Sequence, residues 1–120
     1  MIGTNNLGSN SNDEIVAGVT MIVQTLHEKL PSTKVLLLGI FPRGAKPTDP
    51  SRARITAIND QLSKLDDGGK TTRYLDIGPK FLEPDGTLPK TIMPDALHPN
   101  EKGYQIWAEA MGPTLGELMK

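Results

Sequence analysis

The feature that most constrains the fold is the segment Lys34–Phe41, in which only the first residue is polar. A strand with one face in water alternates apolar and polar residues, whereas a strand covered on both faces in a parallel sheet is apolar throughout. The segment therefore predicts a central strand of a parallel sheet. Parallel strands need long crossover connections, so we expect helices on both sides of this strand.

A helix is predicted before the strand. Ser11 and Glu14 have the spacing of a capping box, and apolar residues then recur at intervals of three and four until Pro31. These apolar residues are Ile15, Val16, Val19, Ile22, Val23, Leu26 and Leu30. The pattern is that of an amphipathic helix with one buried face.

A second helix is predicted after a proline-rich loop. Asp49 and Pro50 suit the cap and the first position of a helix, which Gly68–Gly69 end. Its buried stripe is expected to consist of Ile55, Ile58, Leu62 and Leu65. A second strand over Tyr74–Ile77 then follows.

The last part of the chain combines a long loop with a final helix. The loop spans 78–100, and loops of this length in compact domains are usually functional. The helix begins near Asn100, and Gly112–Pro113 is expected to kink or split it. Its spacing predicts that four residues point into the core: Tyr104, Trp107, Ala108 and Met111. The alternative for Tyr104 and Trp107 is a platform on which a ligand stacks, and the spacing favours the core.

The order of helices and strands predicts an α/β fold with right-handed crossovers and a parallel sheet, and 120 residues are the size of one domain, 1–120. A net charge of −1 argues against a nucleic-acid partner. No cysteine is present for a disulfide, a thiolate metal site or a nucleophile. No segment suits a membrane span or a signal peptide, so we expect a soluble chain.

Two histidines differ in their setting. His27 lies on the polar side of the first helix, where a solvated surface position with no role is expected. His98 follows Asp95 by three residues in the long loop, and such a turn brings the Asp95 carboxylate against Nδ1 of the ring. That is the form of a general base with its orienting acid. The alternative is structural: Asp95 caps the turn and His98 caps the last helix.

The segment Gly3–Asn6 also has two interpretations. Glycine and asparagine tolerate turns and left-handed backbone, so the segment is a loop on spacing alone. In a functional interpretation, an asparagine side-chain amide of this segment donates to an oxyanion in a tetrahedral intermediate. Neither motif decides the question alone.

Together the two motifs resemble those of a known family. Gly3-Thr4-Asn5-Asn6 looks like the third conserved block of the SGNH, or GDSL-type, hydrolases, and Asp95-Ala-Leu-His98-Pro99 looks like the fifth. The resemblance covers essentially the whole chain and is strongest to the branch of the intracellular platelet-activating-factor acetylhydrolases and related bacterial esterases. It implies a flavodoxin-like three-layer α/β/α domain. It also implies that Asn5 is an oxyanion donor, that Gly3 permits a close backbone approach, that His98 is the base and that Asp95 orients it.

The chain departs from the family pattern at the nucleophile. The family's Gly-Asp-Ser block and second-block glycine precede the third block, which here begins at Gly3. Among the serines present, Ser9 is the nearest substitute, and nothing around it predicts the strained turn that exposes a nucleophile. We therefore expect the C-terminal part of a hydrolase domain with its first strands missing, apart from a stub at Met1–Ile2, and little activity from this chain alone.

Three functional hypotheses follow from these expectations. The first is a serine ester hydrolase for short acyl esters, especially acetyl esters, with Arg43 as a weak candidate for substrate binding because it follows the carboxyl end of the central strand. The second is a non-catalytic binding module that lacks the nucleophile. The third is an assembly in which another copy or a partner chain completes the sheet. We expect no metal and no cofactor, and the compartment is left open because a signal peptide would lie upstream.

Overall fold

The computed structural model describes all residues, 1–120, and contains three α-helices and two strands. Their bounds are α1 Asn12–Lys29, β1 Val35–Leu38, α2 Pro50–Leu62, β2 Thr72–Leu75 and α3 Glu101–Leu118, with short 3₁₀ helices at Thr4–Gly8, Ser63–Leu65 and Gly78–Phe81. The two strands pair in parallel, with Val35 opposite Thr72 and Leu38 opposite Leu75. The predicted α/β class and parallel sheet are confirmed.

The helices lie in two layers on opposite faces of the sheet. Because successive strand residues face opposite sides, Leu37 packs with α1 and α2, whereas Leu38 packs with the long loop and α3. The buried residues of the first cluster are Ile15, Val19, Ile40, Ile55, Ile58 and Leu62. Those of the second are Phe41, Ile77, Phe81, Leu88 and Met93. Two separate cores, one on each face, make the three-layer arrangement.

The helix starts follow the sequence closely. The Ser11 hydroxyl accepts a hydrogen bond from the Glu14 backbone N–H at 3.1 Å, and Asp49 caps α2 with Pro50 in the first turn. The Glu14 carboxylate does not close the capping box, since it accepts from the Asn10 side-chain amide instead. Asn100 caps α3 through the Gly103 backbone N–H, so His98 is not the helix cap.

Several expectations about the strands and the first residues are wrong. β1 ends at Leu38 and is only four residues long, and all four of its side chains are only half-buried, because the edge away from β2 has no partner strand. An apolar groove of about 420 Å³ follows that open edge, between β1 and α1. Met1–Ile2 lines this groove without forming a strand, and β2 lies two residues earlier than predicted.

The last helix is rotated relative to its predicted orientation. Tyr104 is 58% exposed and Ala108 is also exposed, while Trp107 and Met111 are half-buried. Gly103 causes the rotation: a Cβ there would lie 2.7 Å from Pro99 Cβ, so the helix docks through this glycine. Its inner face comprises Gly103, Ile106, Trp107 and Ala110. The helix also continues through Pro113 without splitting.

His27 is half-buried, not fully solvated as predicted. Its Nε2 lies 3.1 Å from the buried Thr72 hydroxyl, so the ring links α1 to the start of β2. No helix combines the length and hydropathy that crossing a bilayer requires.

Candidate active site

Asp95 and His98 form a close pair in the loop that precedes α3. One carboxylate oxygen of Asp95 accepts from the backbone N–H groups of Leu97 and His98, at 3.1 and 2.7 Å, and the other lies 2.5 Å from Nδ1 of His98. The carboxylate thus caps the turn and contacts the ring at once, so the structural and functional interpretations of Asp95 are compatible. Ala96 makes the turn possible with a left-handed φ of 57°.

The ionisation of Asp95 determines which nitrogen of the His98 ring carries the hydrogen. The hydrogen bond from the His98 side chain, followed by the one from its backbone, lowers the pKa of Asp95 to about 2. The carboxylate is therefore ionised at neutral pH and accepts a hydrogen from Nδ1, which leaves Nε2 free to accept a proton. The side chains of His98 and Asp95 are 75% and 54% exposed, so a reacting group can reach the ring.

The loop that carries the pair is anchored on both sides. The Gly44 backbone N–H donates to Ala96 O at 3.0 Å, which ties the turn to the segment after β1. The Asn100 backbone N–H donates to Ile92 O, and the Asn100 side chain donates to Thr91 O, both at 2.9 Å. Met93, just before Asp95, is fully buried in the second core cluster. The His98 backbone is therefore held from both directions.

Asn5 lies in the 3₁₀ helix Thr4–Gly8, which begins after a glycine with special geometry. Gly3 has a φ of 103°, in the left-handed region, and a Cβ there would lie 2.6 Å from Ile40 Cδ1. A side chain at position 3 would therefore clash with the core side chain of Ile40, while the role that the resemblance gives Gly3 stays a prediction. The Asn5 side chain is exposed.

Asn5 and His98 line the same cleft, although 93 residues separate them in sequence. The cleft has a volume of about 270 Å³. It is lined by Met1, Thr4, Asn5, Phe41, Pro42, Leu97, His98, Pro99, Tyr104 and Trp107. The structure therefore brings the two sequence motifs together at the carboxyl end of β1, the edge where open α/β sheets bind ligands.

The aromatic wall of the cleft was missed in the sequence. Tyr104 stacks on Trp107 with ring centroids 5.6 Å apart, and Trp107 meets Phe41 edge-on at 4.7 Å. Their spacing resembled a core stripe, and only the rotation of α3 places Tyr104 over the cleft. Thr4 was also missed: its hydroxyl is the one buried side-chain polar atom without a hydrogen-bond partner.

Neither Arg43 nor any serine lines the cleft. Arg43 is half-buried, and its Nη1 donates to Thr4 O at 3.0 Å, so a role in substrate binding stays a prediction. Ser9, the nearest substitute nucleophile, is exposed and hydrogen-bonds to Asn10 Oδ1. No group of three or more His, Asp or Glu side chains is arranged to hold a metal ion.

Comparisons with known proteins identify the family of this chain. The family model for GDSL-like lipases and acylhydrolases matches residues 1–106. The human platelet-activating factor acetylhydrolase IB subunit alpha1 is 32% identical over 98% of this chain and 50% of its own length. The chicken alpha2 subunit is 35% identical over 99% of this chain and 51% of its own length.

Two solved structures show the same fold. One is from Streptococcus pneumoniae and is named for platelet activating factor. It has a TM-score of 0.81 at 22% identity, and the match covers 96% of this chain and 57% of the Streptococcus chain. The other, an acylhydrolase from Bacteroides fragilis, has a TM-score of 0.78 at 20% identity, over 98% and 60%.

The fold and the cleft thus define an α/β protein of the SGNH-hydrolase class. The chain belongs to the GDSL-like lipase and acylhydrolase family, as its sequence motifs predicted. It spans about half the length of the curated relatives it matches.

Proposed function

We propose that these 120 residues carry the base and part of the oxyanion hole of a serine ester hydrolase, with the nucleophile supplied by sequence outside them. The observation that carries the proposal is the shared cleft: Asn5 and His98, which the family resemblance assigns to one reaction, both line it, and Asp95 contacts the His98 ring. The family match supports hydrolysis as the class of chemistry.

In this proposal each site residue has one role. His98 Nε2 takes the proton of a serine hydroxyl as its oxygen attacks the ester carbonyl, and it later returns a proton to the leaving alcohol. The ionised Asp95 holds the ring through Nδ1 and stabilises the imidazolium that forms. The Asn5 side-chain N–H donates to the oxygen on which negative charge develops. Gly3 gives the Asn5 loop its close approach to Ile40.

The substrate is proposed to be an ester with a short acyl group, especially acetyl. The names of the relatives support this, since they are platelet-activating factor acetylhydrolase subunits. The part of the site that these residues form has an aromatic wall, which suits an apolar group of the ester.

Hydrolysis of an aryl acetate tests the proposal in a chimaeric protein, here called the joined protein. It fuses these 120 residues to the half of the human alpha1 subunit that does not align with them. We expect His98→Ala to lower kcat by about 10³-fold or more and Asn5→Ala by about 10²-fold. His27→Ala is the matched control, because His27 lies outside the cleft, and should change kcat by less than about twofold. An active joined protein that tolerates His98→Ala refutes the assignment.

A binding module without catalysis is the second candidate, favoured by the absence of any serine from the cleft lining. A serine-directed fluorophosphonate probe separates it from a self-sufficient enzyme. Labelling of the 120-residue chain at a single serine would rule out the binding module and identify a substitute nucleophile.

A further inference from the structure

The segment that carries Asn5 has few polar links to the rest of the fold. All backbone–backbone hydrogen bonds made by residues 3–10 stay within that segment, for example from Asn6 N–H to Gly3 O and from Asn10 N–H to Asn6 O. Apart from one bond from the Asn10 side-chain amide to the Glu14 carboxylate in the first turn of α1, at 2.7 Å, its hydrogen bonds to the body of the α/β fold come from two arginine side chains, Arg43 and Arg54. The position of Asn5 therefore depends on these two guanidinium groups more than on regular secondary structure.

Arg54, on α2, uses all three nitrogens of its guanidinium on this region. Nη1 donates to Leu7 O, Nη2 donates to Asn10 O at 2.8 Å, and Nε donates to Asn12 Oδ1 at 2.9 Å. No carboxylate lies within ion-pair distance of Arg54. A planar fork with several fixed donors fits such a set of acceptors, and a lysine ammonium does not reproduce it.

Arg43 fixes the peptide group that enters Asn5. Its Nη1 donates to Thr4 O at 3.0 Å, and that oxygen belongs to the same planar peptide as the Asn5 N–H. Arg43 is itself held, because its backbone oxygen accepts from the Ser51 hydroxyl at 2.7 Å and from Arg52 Nε at 3.2 Å. A donor whose own backbone is held by α2 thus binds the peptide group directly before Asn5.

We infer that Arg43 and Arg54 are positioning residues that hold the Asn5 loop in register with His98. Arg43 has this role in place of a direct contact with substrate. The consequence for catalysis rests on the function proposed above, whereas the mechanical role does not. A loose loop lets the Asn5 amide leave the oxyanion position, so the transition state loses stabilisation while ground-state binding changes little.

NMR order parameters of backbone amides test the mechanical role in the 120-residue chain. In Arg54→Ala we expect the values for Asn6, Ser9 and Asn10 to fall from about 0.85 to below about 0.6, with those of β1 and α2 unchanged. Arg54→Lys keeps the charge without the fork and should loosen the same amides, which covers the case in which the alanine variant fails to fold. Arg73→Ala is the control, since Arg73 is exposed, lies on β2, and forms its ion pair with Asp66, at 4.0 Å.

Two results would overturn the mechanical role. One is a loop that keeps its order parameters in both Arg54 variants. The other is a loss of order that spreads equally through β1 and α2, which would mean that Arg54 serves general stability alone.

Kinetics in the joined protein test the consequence for catalysis. Arg54→Ala and Arg43→Ala should each lower kcat by about tenfold with KM nearly unchanged. Millimolar guanidinium ion should partly restore the kcat of Arg54→Ala and leave the kcat of Arg73→Ala unchanged. A raised KM at constant kcat would instead assign Arg43 to substrate binding and refute the positioning role. An inactive wild-type joined protein would count against the proposed function, and the order parameters would still decide the mechanical role.

Discussion

The side-chain amide of Asn59 replaces a strand partner where β1 ends, and removing it should be costly. Asn59 is 6% exposed and Ile40 is 3% exposed. The Asn59 oxygen accepts from Ile40 N–H at 2.8 Å, and its nitrogen donates to Ile40 O at 3.0 Å. Each buried backbone group left unpaired costs about 1–3 kcal/mol, so Asn59→Ala should lose about 3 kcal/mol of unfolding free energy.

Urea unfolding followed by far-ultraviolet circular dichroism measures this loss. With an m-value of about 1.5 kcal/mol/M, the midpoint of Asn59→Ala should fall by about 2 M. Asp60→Ala, a change at the next and exposed position of α2, is the matched control and should stay within about 0.5 kcal/mol of wild type. A loss below about 1 kcal/mol for Asn59→Ala would refute the reasoning, because water would then replace the amide. Phe41 and Pro42, which line the cleft, follow Ile40 directly. A confirmed loss of unfolding free energy in Asn59→Ala would therefore also show that α2 supports this part of the cleft.

Two further predictions concern the site. Gly3→Ala places a Cβ 2.6 Å from Ile40 Cδ1 at a φ of 103°, so it should lower the free energy of unfolding by about 1–3 kcal/mol in the same urea assay. Gly8→Ala is the control, because a Cβ there meets open space, and it should be near neutral. Equal losses of unfolding free energy in the two variants would contradict the argument. The Asp95 carboxyl should titrate near pH 2 by ¹³C NMR, since His98 lowers its pKa. Because the folded pKa is depressed, its stabilising contribution is complete above the ordinary value of 3.8 and is lost as pH falls through about 2; a midpoint near 4 would show that the pair does not form.

Local chemistry explains what the sequence predicted well. Helix caps act over two or three residues, so Ser11 and Asp49 could be assigned from spacing alone. The start of α3 near Asn100 was also predicted, although its cap is Asn100 and not His98. Three of the four residues predicted for the apolar stripe of α2, namely Ile55, Ile58 and Leu62, are buried. The fourth, Leu65, is half-buried in the 3₁₀ helix that follows α2. The Asp95–His98 contact, which spans three residues, was also predictable as a turn.

Contacts between distant residues explain what could not be predicted. Arg43 and Arg54 reach acceptors 39 to 47 residues away, and no periodicity in the sequence encodes such pairs. The orientation of α3 depends on Gly103 docking against Pro99 and Ile92, which turned Tyr104 outward although the apolar spacing placed it inward. The meeting of Asn5 and His98 came from the family resemblance and not from spacing.

The rate of acylation in a single turnover tests the central claim most directly. In the joined protein, His98 should be needed to deprotonate the nucleophile, so His98→Ala should slow acetylation by an aryl acetate by about 10³-fold or more, with ester binding unchanged. The control variant His27→Ala removes a ring that lies outside the cleft, so it should be acetylated at the wild-type rate. Equal acetylation rates in His98→Ala and wild type would contradict the assignment of His98 as the base of this site.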